Sequence, residues 1–112
     1  MDPKPLVFLG SSRDDLGAFP KEPRQVAGHE LFQIQRGLDP SNWKPMRSIG
    51  PGIREVRVQV EGAFRVIYVA KFAEAIYVLH AFEKRSRRTR SADIALARKR
   101  LRDLERGRKH RR

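Results

Sequence analysis

A small α+β domain with element order β-α-α-β-β-β-α is the fold this sequence predicts, and three observations carry that prediction. Between residues 53 and 84 apolar side chains alternate with polar ones or run apolar on both faces, as strands do. On either side of that block, apolar residues return at helical spacing. The 112 residues, 39% of them hydrophobic with six Phe, two Tyr and one Trp, suit one domain with a real core.

Leu6-Val7-Phe8-Leu9 is a short apolar run ended by Gly10-Ser11-Ser12, which predicts a brief first strand. Ser11 or Ser12 offers an N-cap to a first helix, whose Asp14 and Asp15 favour the positive first turn. Pro20 and Pro23 interrupt it. Pro23 suits the start of a second helix over about 23–36, closed by Gly37, with Ala27, Leu31 and Ile34 on one stripe. Residues 38–52, rich in Pro and Gly, read as a structured loop that Trp43 staples to the body. Val56, Val58 and Val60 alternate with Arg57, Gln59 and Glu61 in a half-buried strand, and Gly62 marks a tight turn. Phe64–Ala70 is a second strand, apolar on both faces except for Arg65, and 75–82 a third. The three make an antiparallel meander that the helical hairpin covers on one face. A last helix starts near Ser91. It is amphipathic, with Ile94, Ala97, Leu101 and Leu104 on one side and Arg98, Lys99, Arg102 and Arg106 on the other. The domain is expected to span 1–106, with 107–112 a basic disordered tail.

The charge is concentrated. Of 25 Lys and Arg against 13 Asp and Glu, residues 1–83 hold 11 and 10, whereas residues 84–112 hold 14 and three. A balanced body with a cationic end is the electrostatic footprint of a protein that meets a polyanion, most often nucleic acid. There is no cysteine, which excludes disulfides, a thiolate nucleophile and a zinc finger. No apolar run approaches the roughly 20 residues of a transmembrane helix, and the N-terminal apolar stretch is too short for a signal peptide. A cytoplasmic location is expected. No familiar metal or nucleotide motif is present, so neither metal nor cofactor is expected.

Spacing then nominates a site. His80, Phe82 and Lys84 stand two apart and share a strand face. Arg65 lies in an apolar run, where a guanidinium needs a partner, Glu55 or Glu83, or a ligand. Arg54 and Arg57 lie on the strand before it. Neighbouring strands about 5 Å apart bring Arg57, Arg65, His80 and Lys84 toward one cationic patch. RNA cleavage needs such groups: a base for the ribose 2′-hydroxyl, cations for the scissile phosphate, an acid for the leaving 5′-oxygen.

The segments FRVIYVAKF and IYVLHAFEKR, then the DIALAR opening of the last helix, resemble the RelE/ParE superfamily of bacterial toxins, closest to its phage-derived, HigB-like branch. LGSSRDDLGAFP and GLDPSNWKPMRSIG upstream fit as well, so the resemblance covers about residues 6–106. It implies the compact RelE-like fold. It also implies a toxin of a type II toxin–antitoxin system that cuts messenger RNA on the ribosome by metal-free 2′-hydroxyl attack. The partners it implies are mRNA, the ribosome and a cognate antitoxin, in this branch a helix-turn-helix, HigA-like protein. Arg65 then matches a phosphate clamp, His80 a base or acid, and Phe82 the aromatic beside the RNA base. Lys84 continues the same face and completes the catalytic set. Arg54, Arg57, Arg85, Arg87 and Arg88 join Phe82 in the RNA-binding set. Two positions depart from the family pattern: Phe82 lacks the hydroxyl a tyrosine would offer, and TRSAD replaces the usual proline before the last helix. A ParE-like inhibitor of DNA gyrase shares the fold and is the alternative, as is a non-catalytic member that only binds RNA or antitoxin.

Overall fold

The computed structural model describes residues 2–110 and is built on a five-stranded sheet. The elements run β1 (Leu6–Phe8), α1 (Ser12–Gly17), α2 (Lys21–Gln35), β2 (Trp43–Pro45), β3 (Ile53–Val58), β4 (Phe64–Val69), β5 (Ile76–Glu83) and α3 (Ser91–His110). In space the strands lie in the order β1-β5-β4-β3-β2. β1 pairs parallel with β5 and every other pair is antiparallel. The predicted meander β3-β4-β5 is therefore the centre of a wider sheet.

β4 is buried at all six positions because it is covered on both faces. Phe64, Val66 and Tyr68 join Val56, Val58, Ile76 and Val78 beneath Ala27, Leu31 and Ile34 of α2. Ile67 and Val69 join Ile53, Tyr77 and Leu79 beneath Ala97 and Leu101 of α3. The last helix thus docks on its own sheet, on the face the helical hairpin leaves open.

Several expectations need correction. β2 lies in the segment read as a loop: Trp43 pairs with Val56 and Pro45 with Arg54. Three residues ending in Pro are tolerated there because β2 is an edge, where a missing N–H breaks no ladder. β3 starts at Ile53 and stops at Val58, short of Val60, because Glu61 and Gly62 take positive φ values of 54° and 134° in the turn. Neither Ser11 nor Ser12 caps α1 through its side chain. The Ser11 hydroxyl bonds Asp15, and the Ser12 hydroxyl donates to the Val78 carbonyl at 3.2 Å, tying α1 to β5. Residues 107–110, expected to open a disordered tail, continue α3 to His110, and Arg108 packs over the Phe72 ring at 3.9 Å and bonds Glu74. Arg111 and Arg112 lie outside the described residues.

One irregularity positions the site. Ile67 pairs with His80 but Tyr68 with Val78, so Leu79 is an extra residue in β5. A bulge of this kind shifts the alternation by one. Tyr77 and Leu79 face α3, and past the bulge His80 and Phe82 face it too, while Ala81 returns to the α2 side.

Candidate nucleic-acid interface

Two rows of side chains cross the α3 side of the sheet, at the margin of the part that α3 covers and beyond it. The register aligns Arg57 with Arg65 and Arg65 with Phe82 in one row. It aligns Lys44, Glu55, Ile67 and His80 in the next. Cations and an aromatic from four strands therefore meet at one end of one face.

Glu55 is the centre of the cluster. It is fully buried, and its carboxylate lies 3.5 Å from Nε of Arg65 and 3.7 Å from Nε of Arg57. Neither distance comes with hydrogen-bond geometry, so both Glu55 oxygens and both Nε groups are buried without a bonded partner. Such a cluster costs stability relative to an apolar core. It leaves the outer nitrogens of the guanidinium groups available, except that Arg65 Nη1 donates to the Phe64 carbonyl at 3.0 Å. Burial pushes the Arg65 pKa down, the Glu55 charge opposes that, and Arg57 adds to the fall. Arg65 is 5% exposed whereas Arg57 is half-buried, so Arg57 is the more accessible guanidinium and Arg65 lies behind it.

Lys84 stands at the end of β5, where its backbone N–H donates to Ala63. Burial lowers its pKa first and the charge of Arg65 second; Glu55 pulls it back, while Lys44 and Arg57 lower it further. Lys84 thus lies within the field of the cluster. A lysine displaced downward gives up its proton more readily.

His80 sits apart from the expected patch. Its Nε2 is 2.7 Å from Oδ1 of Asp93 in the first turn of α3, and its Nδ1 is buried without a partner. It is 6% exposed, and its ring stacks on Phe82 with centroids 4.9 Å apart. His80 is therefore clamped between Phe82 and α3, and Phe82 is the half-buried member that reaches the surface. The expectation that Arg57, Arg65, His80 and Lys84 form one open patch is corrected to Arg57, Arg65 and Lys84, with His80 beneath Phe82.

Arg54 is on the wrong face for that patch. It stands three residues from Arg57 in the same strand, and an odd spacing puts the two on opposite sides. Arg54 instead pairs with Asp39 at 2.9 Å and lies 4.0 Å above the Trp43 ring. Arg85, Arg87 and Arg88 are exposed in the segment joining β5 to α3, and Arg85 pairs with Glu83 at 3.0 Å. They flank the cluster without entering it.

Sequence reasoning missed Lys44, because β2 was hidden, and the Asp93–His80 contact, because it crosses from strand to helix. It weighed Glu55 only as a partner for Arg65. Its place two residues before Arg57, on the same strand face, was the available signal. Among the described residues no three His, Cys, Asp or Glu side chains gather into a metal-binding group, and no helix is long and apolar enough to cross a membrane.

A search of curated proteins finds no match. The model of one family, the phage-derived Gp49-like proteins (DUF891), matches residues 14–102, from within α1 to the third turn of α3 and including the whole charged cluster. A match over that much of the sequence, on the elements that build both faces of the sheet, makes this chain a member of the phage-derived Gp49-like family.

Proposed function

We propose that this chain is the toxin of a type II toxin–antitoxin system and acts in the cytoplasm as a ribosome-dependent mRNA endoribonuclease. The observation that carries the reading is the convergence of Arg57, Arg65 and Lys84 around the buried Glu55 on the α3 side of the sheet. The family match covers the FRVIYVAKF, IYVLHAFEKR and DIALAR segments of the RelE/ParE resemblance.

In this reading the RNA lies across the row Arg57–Arg65–Phe82. Phe82 stacks on a base, and Arg57 and Arg65 hold the scissile phosphate as charge builds on it. The 2′-oxygen attacks phosphorus as its proton passes to solvent water, and the bond to the 5′-oxygen breaks, leaving a 2′,3′-cyclic phosphate on the upstream fragment. Lys84 supplies the proton that the leaving oxygen takes, which yields a 5′-hydroxyl end. His80 acts through Phe82, as a positioning residue held by Asp93. Arg85, Arg87 and Arg88 grip phosphates of the RNA on either side. A cognate antitoxin with a helix-turn-helix domain neutralises the toxin.

The test is induction of the wild-type chain and of Arg65→Ala, Lys84→Ala and His80→Ala, each with mapping of transcript 5′ ends. Wild type stops growth and produces new 5′ ends in phase with codons. Arg65→Ala and Lys84→Ala, folded by circular dichroism, lose those ends. His80→Ala keeps them at reduced yield. Growth arrest without new ends, accompanied by a DNA-damage response, overturns the nuclease in favour of gyrase poisoning.

A further inference from the structure

The face turned away from the cations carries a second feature that RNA cleavage does not use. Between the C-terminal half of α2 with the turn that follows it, the residues before β1 and the β3–β4 pair lies a cavity of about 530 Å³. Tyr68 lines it. The Tyr68 side chain is fully buried, and its hydroxyl lies beside the Arg54 guanidinium, which can only donate, so the O–H itself has no acceptor. An unpaired buried hydroxyl is costly and uncommon, so it calls for an acceptor that arrives from outside. Burial pushes its pKa up, so at neutral pH the phenol keeps its proton and can donate.

The rim defines what arrives. Three large apolar side chains are exposed among the described residues, and two of them, Phe32 at 49% and Leu38 at 50%, flank this cavity. Paired exposed hydrophobics beside a pocket mark a protein contact more than a solvated surface. Its lining carries Arg54, beside the Tyr68 hydroxyl, and Arg36 at the exposed edge, with Asp2 and Asp39 as the opposing charges. Lys4 is also there, but its ammonium is committed to the carbonyls of Ala70 and Phe72. Arg54 is held by Asp39, whose side chain is 69% exposed. A surface pair of this kind exchanges readily for another carboxylate. A phenol O–H and a guanidinium side by side both donate, so they fit a group that only accepts.

We propose that this cavity docks an acidic peptide segment of a partner protein, seating one large apolar side chain between Phe32 and Leu38 and giving a neighbouring carboxylate to Tyr68 and Arg54. The contact lies across the sheet from the charged cluster. It stands whether or not the chain cleaves RNA.

Trp43 is the single tryptophan and carries Arg54 on its ring, so its fluorescence reports the contact directly. The test titrates the full chain with a synthetic peptide bearing one leucine between glutamates, at moderate and high salt, and maps amide shifts by NMR. Binding changes Trp43 emission and shifts the amides of Phe32, Leu38 and Tyr68. Tyr68→Phe, which deletes only the oxygen, weakens binding about tenfold or more, as loss of a hydrogen bond to a charged group does. Leu38→Asp, at an exposed position that tolerates it, abolishes binding. The same peptide with glutamines in place of glutamates binds at least tenfold more weakly in wild type and equally in both proteins when Phe replaces Tyr68. Shifts confined to α3 would mean nonspecific attraction to the basic helix and overturn the proposal. So would unchanged affinity in Tyr68→Phe, absence of binding, or equally tight binding of free hydrocinnamate, which would make the site one for a small carboxylate.

Discussion

The two faces of the central sheet are made from the same strands and do different things. Under α2 the side chains are apolar from Phe64 to Tyr68, and the one polar atom among them is the Tyr68 hydroxyl at the edge. Under α3 the face is apolar only as far as Ile67 and Leu79; beyond that it carries Glu55, Arg57 and Arg65, buried or half-buried and imperfectly bonded. The first arrangement maximises area removed from water. The second keeps ionised groups dry at a cost in stability, a pattern that belongs to sites rather than to cores.

The sharpest way to break that comparison is to remove the charges one at a time and then together. Glu55→Leu leaves two guanidinium groups facing each other without their anion and should lower the unfolding free energy by about 3–5 kcal/mol. Adding Arg65→Met should recover most of the loss, leaving the double variant within about 1 kcal/mol of wild type or more stable, since apolar replacements of buried ion pairs are often neutral or better. Growth arrest should be lost in both. Urea unfolding of the three proteins decides it, and a double variant as unstable as Glu55→Leu would show the pair to be structural.

Leu31→Ala probes the opposite face. Leu31 is 3% exposed in the α2 core, so its truncation should cost about 2–5 kcal/mol through lost transfer energy and the cavity left behind. Whatever stays folded should retain full toxicity, because the charged row is untouched. Loss of toxicity well beyond the loss of folded protein would mean that the two faces are coupled.

These faces were unequally legible. The α2 core follows from simple periods: Ala27, Leu31 and Ile34 on a helix, Val56 and Val58 on a strand. The apolar run of β4 announces burial on both sides, though not that α3 supplies the second cover. The site depends on long-range events instead. β2 is three residues long in a segment dense in Pro and Gly, so Lys44 had no visible strand to stand on. The bulge at Leu79 decides which way His80 points, and no local pattern in IYVLHAFEK encodes it. The contact with Asp93 joins residues 13 apart through a helix that had first to choose a face. Arg54 is the exception, since its odd spacing from Arg57 already separated the two while the family resemblance grouped them.

Lys84 gives the smallest effect and the one most specific to the charged face. Its pKa falls below the usual lysine value because burial and then Arg65 disfavour its charge, with Lys44 and Arg57 adding to them. In the unfolded chain those neighbours are gone and the proton is held until about pH 10.4. Between the folded and unfolded values the unfolded chain therefore binds more protons, and stability must rise with pH across that window. Tyr68 works the other way: burial raises its pKa, so above about pH 10 the fold keeps a proton the unfolded chain has lost, and stability falls. The raw pH profile mixes the two faces, but the difference between wild type and Lys84→Met isolates one. That difference, from urea unfolding at steps between about pH 8 and 10.5, should move in favour of wild type as the pH climbs. It should shrink without vanishing when Arg65→Met is added to both proteins, because the Arg65 charge is then absent while burial still disfavours the charged lysine. A flat difference with Arg65 still in place would mean that Lys84 does not feel the cluster, and it would then have no claim to the proton of the leaving oxygen.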